Sequence, residues 1–130
     1  MVGSDPNHWL HRLTAAEWLA AAETELGHAE AALGRRAARP GVTHARRAAG
    51  MAWNAVLVGA PDEAAGRSYM EHVVALSGSA AVPEDVRAAA RQLRETPAGP
   101  PELIRLGAPD LGPAHAARTI LEHARRLAAG

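Results

Sequence analysis

Apolar residues recur along this chain at spacings of three and four. Trp18, Ala22, Leu26, Ala29 and Leu33 form one such stripe, the mark of a helix with one face turned to a core. Thr14 precedes it, and Glu17 follows three residues on. That spacing makes a capping box, in which each side chain can satisfy the other residue's backbone N–H. Gly34 and "RPG" at 39–41 close the segment. A second helix is predicted from near Thr43 to Val58, ended by the Pro- and Gly-bearing "GAPDEAAG" of 59–66. A short helical piece, "SYMEHVVAL" (68–76), comes next. In "PEDVRAAARQLRE" (83–95), Pro83 sits in a first turn, where its missing N–H costs nothing. Val86, Ala89, Ala90 and Leu93 supply that helix's inner face. The last helix starts at Pro113, with Ala116, Ile120, Ala124 and Leu127 as its stripe.

Residues 96–112 hold Pro97, Pro100, Pro101 and Pro109, which opposes a regular helix. Leu103 and Ile104 are the expected anchors of this segment to the rest. No run alternates β-branched and polar residues as a strand does. The pattern predicts an all-α fold: an up-and-down bundle of four main helices plus a short one. Residues 14–130 form one helical domain, and residues 1–13 an N-terminal extension.

The second helix departs from the simple stripe. Ala45, Ala49, Ala52 and Val56 share one face, while Met51, Leu57 and Val58 lie on the other. A helix apolar nearly all round is covered on every side. Either its own bundle encloses it, or a second copy of the chain covers the non-Ala face. Gly50 lets another backbone approach closely, at a helix-propensity cost of about 1 kcal/mol.

Composition sharpens this picture. Nearly half the residues are hydrophobic, but Phe is absent and there are one Tyr and three Trp. Ala-rich packing buries little area per side chain. Modest monomer stability is expected, and the homodimer is the expected assembly. Every basic residue is Arg, which high-GC coding would give and which also suits forked contacts to phosphate or carboxylate. Formal net charge is zero, which removes any global attraction to nucleic acid. With no Cys, disulfides and thiolate metal sites are excluded. No apolar run approaches the roughly 20 residues of a membrane span. "MVGSDPNHWLHR" lacks the basic start and apolar run of a signal peptide, so the expected location is cytoplasmic.

The order of pieces resembles a known family. "AEWLAAAETELGHAEAAL", "ARRAAGMAWNAVLV", "GRSYMEHVVAL", "VPEDVRAAARQL" and "IRLGAPDLGPAHAARTILEHARRL" together resemble small stand-alone members of the prokaryotic HEPN domain family. The family's second helix reads like A-Q-Q-A-A-E-K-A-L-K-A-L-L; here it is Ala45 to Leu57. Its Gly-His-Ser corresponds to Gly66-Arg67-Ser68, and its Arg-Tyr-Pro-Asp to Arg105 through Asp110. The similarity spans about residues 14–128. It implies a helical bundle, commonly dimeric, of a kind found in toxin–antitoxin or nucleotidyltransferase-paired systems. A large subset of the family are metal-independent ribonucleases.

This chain departs from the pattern where the family's Gln-Gln, Glu and Lys stand. It has Arg46-Arg47, Gly50 and Asn54 instead. These four and Arg105 form the expected strip for a ligand or partner. The resemblance implies a non-catalytic subunit binding a nucleotide, RNA or a partner protein, the partner being a nucleotidyltransferase or an antitoxin. A ribonuclease toxin and a helical interaction module without a nucleotide ligand are the other two readings.

Ribonuclease members carry Arg, four to six residues, then His. Arg118 and His123 fit that spacing. His is suited to acid–base chemistry near neutral pH, and Arg to holding a phosphate. On a regular helix, however, a spacing of five separates two side chains by about 140°. The bland reading is a surface pair of Arg118 with Glu122 at i, i+4 and a rim His123. Arg67 and His72 repeat the five-residue spacing with less support.

His8 and His11 form H-x-x-H, which lacks the further ligands a metal needs. No Glu-x-x-His pair recurs across helices as a di-iron bundle requires. The expectation is no metal and no cofactor. Trp18 and Trp53 are expected in the core, and Trp9 is the Trp to test against a base. "GAPDEAAG" is neither a Walker loop nor a dinucleotide fingerprint.

Overall fold

The computed structural model describes residues 8–97 and 108–129. Among these residues every regular element is helical. The α-helices are α1 (Ala15–Gly34), α2 (Ala38–Gly59), α3 (Tyr69–Ser77), α4 (Glu84–Glu95) and α5 (Gly112–Ala129). Two 3₁₀ turns, His8–Arg12 and Glu63–Ala65, precede α1 and α3. Four main helices and a short one are therefore present.

Local chemistry starts the helices as expected. The Thr14 hydroxyl accepts from the Glu17 N–H at 3.1 Å, and the Thr14 N–H donates to Glu17 Oε1 at 2.8 Å. Ser68 and Glu71 repeat this box at the start of α3, a second instance of the same spacing. The reversal after α1 is not made by Gly34 or by "RPG". Ala37 donates to the Ala32 carbonyl and Arg36 to that of Leu33, around a left-handed Arg36 (φ 65°). This is the Schellman pattern with Arg where Gly is usual. The second helix then begins at Ala38 rather than Thr43. Pro40 falls in its first turn, where the N–H groups have no intrahelical partner. A three-residue connection leaves α1 and α2 as antiparallel neighbours.

Neighbouring elements cover much of α2, with Met51, Trp53, Val56 and Val58 left partly exposed. The helix packs most extensively on α1 and also meets α5, α3, α4 and the first 3₁₀ turn. Leu57 of the non-Ala face is buried within the chain, while Met51 and Val58 of that face are covered only in part. The core joins Ala22, Leu26, Ala29 and Leu33 to Ala45, Ala48, Ala49 and Ala52, with Val73, Val86, Leu93, Ile120 and Leu121. The expected inner faces of α1 and α4 are buried. On α5, Leu121 and Ala117 complete the stripe, while Leu127 is 47% exposed near the helix end.

The segment before α1 is tied to the bundle. Leu10 is buried and packs with Leu57 and Ala65. Its carbonyl accepts from Trp18 Nε1 at 2.7 Å. The anchors expected at Leu103 and Ile104 lie outside the described residues, as does Arg105.

Gly50 faces Tyr69 at the start of α3. A Cβ built there would sit 2.5 Å from the Tyr69 Cα and clash with its Cβ as well. Backbone atoms cannot swing aside, so Gly50→Ala should push α3 off α2 and cost about 1–3 kcal/mol. Gly27, on exposed α1 surface, has nothing within 4 Å of the same construction. Gly27→Ala should stabilise by up to about 1 kcal/mol through helix propensity alone. Thermal melts should move in opposite directions for the two variants. A Gly50→Ala melt at or above wild type would refute the close approach.

Candidate functional site

Chemistry-bearing side chains gather at three places on this bundle. The first is the outer side of α1 against α5. Arg118 Nη2 lies 3.0 Å from Glu23 Oε2 and 3.6 Å from Glu30 Oε2. Arg125 reaches the other Glu23 oxygen at 3.0 Å. Two guanidiniums on one carboxylate hold Glu23 below the usual carboxylate range, against a burial effect that opposes it. Arg118 thus pairs with α1 and not with Glu122, the partner expected one turn along its own helix.

His123 lies on a different side of α5. Its ring stacks on Trp53 of α2, with centroids 6.3 Å apart and planes 13° from parallel. Desolvation lowers its pKa, nearby Arg126 lowers it further, and Asp85 of α4 opposes both. Arg118 is thus drawn to α1, and His123 is held between α2 and α4. Each serves a contact of its own, and the two are not brought together on one side of the helix. Trp53, expected in the core, is only half-buried.

The second place is the α2–α3 contact. Asn54 and His72 are both 0% exposed. The His72 Nδ1 lies 2.7 Å from the Ala65 carbonyl, and Nε2 lies 2.7 Å from the Asn54 side-chain amide. Burial pushes the His72 pKa down, beyond what the Ala65 carbonyl and Glu71 restore. The neutral ring has one N–H. A carbonyl can only accept, so Nδ1 carries the hydrogen and Nε2 is the acceptor. The atom set against it is Asn54 Oδ1, also an acceptor, so this pair becomes a hydrogen bond once the amide is turned to present its NH2. Asn54 Nδ2 finds no hydrogen-bond partner among the described residues as the amide is placed, and neither does the buried Trp9 Nε1. Trp9 stacks on His72 at 6.2 Å. Its ring covers a buried histidine, which is why it is half-buried itself.

These positions decide what the expected strip is. Gly50 and Asn54 are buried against α3 and so present no surface. Arg46 donates from Nε to the Leu93 carbonyl at 2.9 Å and from Nη2 to that of Thr96 at 2.8 Å. It caps the end of α4, where carbonyls lack helical partners. Arg47 remains exposed, 3.9 Å from Glu25. Of the four positions on α2, Arg47 alone is open to a ligand. Arg67, set beside His72 by spacing, is exposed while His72 is buried.

The third place was missed in the sequence. Glu25 and His28 of α1 meet His44 of α2, and one ligand atom from each lies within 4.8 Å of the others. His44 Nδ1 is 2.7 Å from Glu25 Oε1. The His28 and His44 rings meet edge to face at 5.2 Å. The lone Glu25-x-x-His28 was visible as an i, i+3 pair. Its completion by His44 depends on the α1–α2 turn, which spacing alone does not give. No helix among the described residues is long and apolar enough to cross a membrane.

No protein-family model, curated protein or solved structure matches the chain.

The buried histidine makes stability depend on pH. An unfolded His titrates near 6.5, and folded His72 titrates below that. Protons then bind the unfolded chain more readily, so stability is full above about pH 6.5 and declines as pH falls toward the folded value. His123 acts in the same direction but is half-exposed. Urea midpoints at pH 7.5 and 5.5 should fall with pH in the wild type. His72→Gln should be less stable at pH 7.5, by about 1–3 kcal/mol, and lose less on acidification. Equal acid sensitivity in both proteins would show that His72 is not the responsible group.

Proposed function

We infer that this chain is a non-catalytic helical binding module of the HEPN kind. Its role is that of a nucleotide-, RNA- or partner-binding subunit of a toxin–antitoxin or nucleotidyltransferase-associated system. The ordered resemblance of the segments and the five-helix architecture support the family reading. One observation carries the non-catalytic part: Arg118 is engaged by Glu23 and Glu30, while His123 stacks on Trp53.

Cleavage by the family's chemistry needs both groups on one phosphate, within about 3 Å. Two helical side chains five residues apart diverge by about 140°. Among the described residues, the carboxylates beside Arg118 are Glu23 and Glu30, and both are held in ion pairs with it. Binding therefore falls to groups still open to solvent. Arg47, Arg91 and Arg126 are exposed and can meet phosphate or carboxylate from a partner. The homodimer expected from the family remains part of this reading, with its interface away from the α2 face that α3 already covers.

An RNA-cleavage assay without metal, on wild type and His123→Ala, tests the claim. Neither protein should cleave, and His123→Ala should keep any RNA binding the wild type shows. Metal-independent cleavage by the wild type, abolished in the variant, would overturn it in favour of a ribonuclease.

A further inference from the structure

We propose that Glu25, His28 and His44 form a divalent transition-metal site, of the zinc type, that staples α1 to α2. The inference rests on geometry alone and is independent of the binding role above.

The three groups come from two helices that the short turn holds antiparallel. Glu25 and His28 are three residues apart on α1 and so share one face. His44 sits across from them, with one donor atom from each residue within 4.8 Å of the others. A tetrahedral zinc with bonds near 2.1 Å sets its ligand atoms about 3.4 Å apart. Small rotations of three side chains bring the donors to that spacing, without moving either helix. Two imidazoles and a carboxylate are the donor set that borderline ions favour. Magnesium and calcium prefer an all-oxygen shell of six or more ligands, which this face does not offer.

The local environment agrees. The Glu25 side chain is 14% exposed and that of His44 27%, so the donors are held yet still reach solvent. The open fourth position falls to water. The Glu25–His44 hydrogen bond places both groups where an ion would bind them. On metal binding, the neutral His44 ring carries its hydrogen on Nε2, which frees the Nδ1 lone pair, and Nδ1 and the Glu25 carboxylate bind the ion. Besides His44, Arg47 approaches this carboxylate. At 3.9 Å on a 47% exposed side chain, it can turn away as the metal enters.

Calorimetric titration of tag-free protein with Zn²⁺ is the test, with Mg²⁺ as the ion that should not bind. The expected result is one Zn²⁺ per chain, with a rise in melting temperature on addition. His28→Ala and His44→Ala should each weaken binding at least about tenfold, and His115→Ala should leave it unchanged. His28 is exposed, so the metal-free melt of His28→Ala should match wild type, separating lost binding from lost folding. No Zn²⁺ binding, or binding that survives both His28→Ala and His44→Ala, would overturn the proposal.

Discussion

Close approach of other helices to α2 is the constraint on which this structure depends. Large apolar side chains are few, so burial must come from many short ones. Ala45, Ala48, Ala49, Ala52 and Ala55 are all buried on α2, with Gly50 among them. Such a surface gains from dispersion only when neighbouring backbones come near, since a small gap forfeits much of each contact. It also leaves little room for adjustment. Where α3 meets α2, a single added Cβ has no space against Tyr69. The thin side chains that limit burial thus also fix where each helix can sit.

Tight packing in turn makes the buried polar groups decisive. His72 and Asn54 are out of water and answer each other across α2 and α3. A shift of α3 along α2 would separate them and leave two buried polar groups unpaired, each costing about 1–3 kcal/mol. Alanine faces tolerate sliding better than interlocking large residues do, so a polar pair that punishes sliding is useful here. Arg46 acts similarly at the other junction. Its guanidinium spans two carbonyls at the end of α4, which fixes where that helix stops relative to α2. The residues that look most like surface chemistry in the sequence therefore set the helix register.

What was legible follows from the range of each interaction. The α1 and α4 stripes and the Thr14–Glu17 box depend on residues a few positions apart, and all appear as read. The start of α2 was placed too late because Pro40 was weighed as a breaker, although a first turn accepts it. Arg118 found Glu23, far away in the chain, because α1 packs beside α5. No i, i+4 rule contains that information. Gly50 and Asn54, expected in a ligand or partner strip, are buried instead, because their partners Tyr69 and His72 lie on α3 and only the packed structure names them. The Glu25–His28–His44 group needed the turn after α1 for the same reason. The family resemblance could not supply these partners either, since it concerns the order of segments and not the contacts between them.

The separation of Arg118 from His123 has two causes of different strength. The Arg118 ion pairs are half-exposed, and such pairs contribute at most about 1 kcal/mol each after solvent screening. An arriving phosphate or carboxylate could therefore recruit Arg118 from Glu23 and Glu30 at little cost. The second cause does not yield so easily. Both residues belong to one regular helix, and α5 is packed along its length through Ala117, Ile120, Leu121 and Ala124. Turning Arg118 and His123 to one side would require unwinding that helix and exposing those residues. Within one chain, then, the ion pairs of Arg118 are the yielding element and its angular separation from His123 on α5 is the fixed one. Any site using both must take them from two chains, across an interface that brings one copy's Trp53–His123 surface against the other copy's α1–α5 edge.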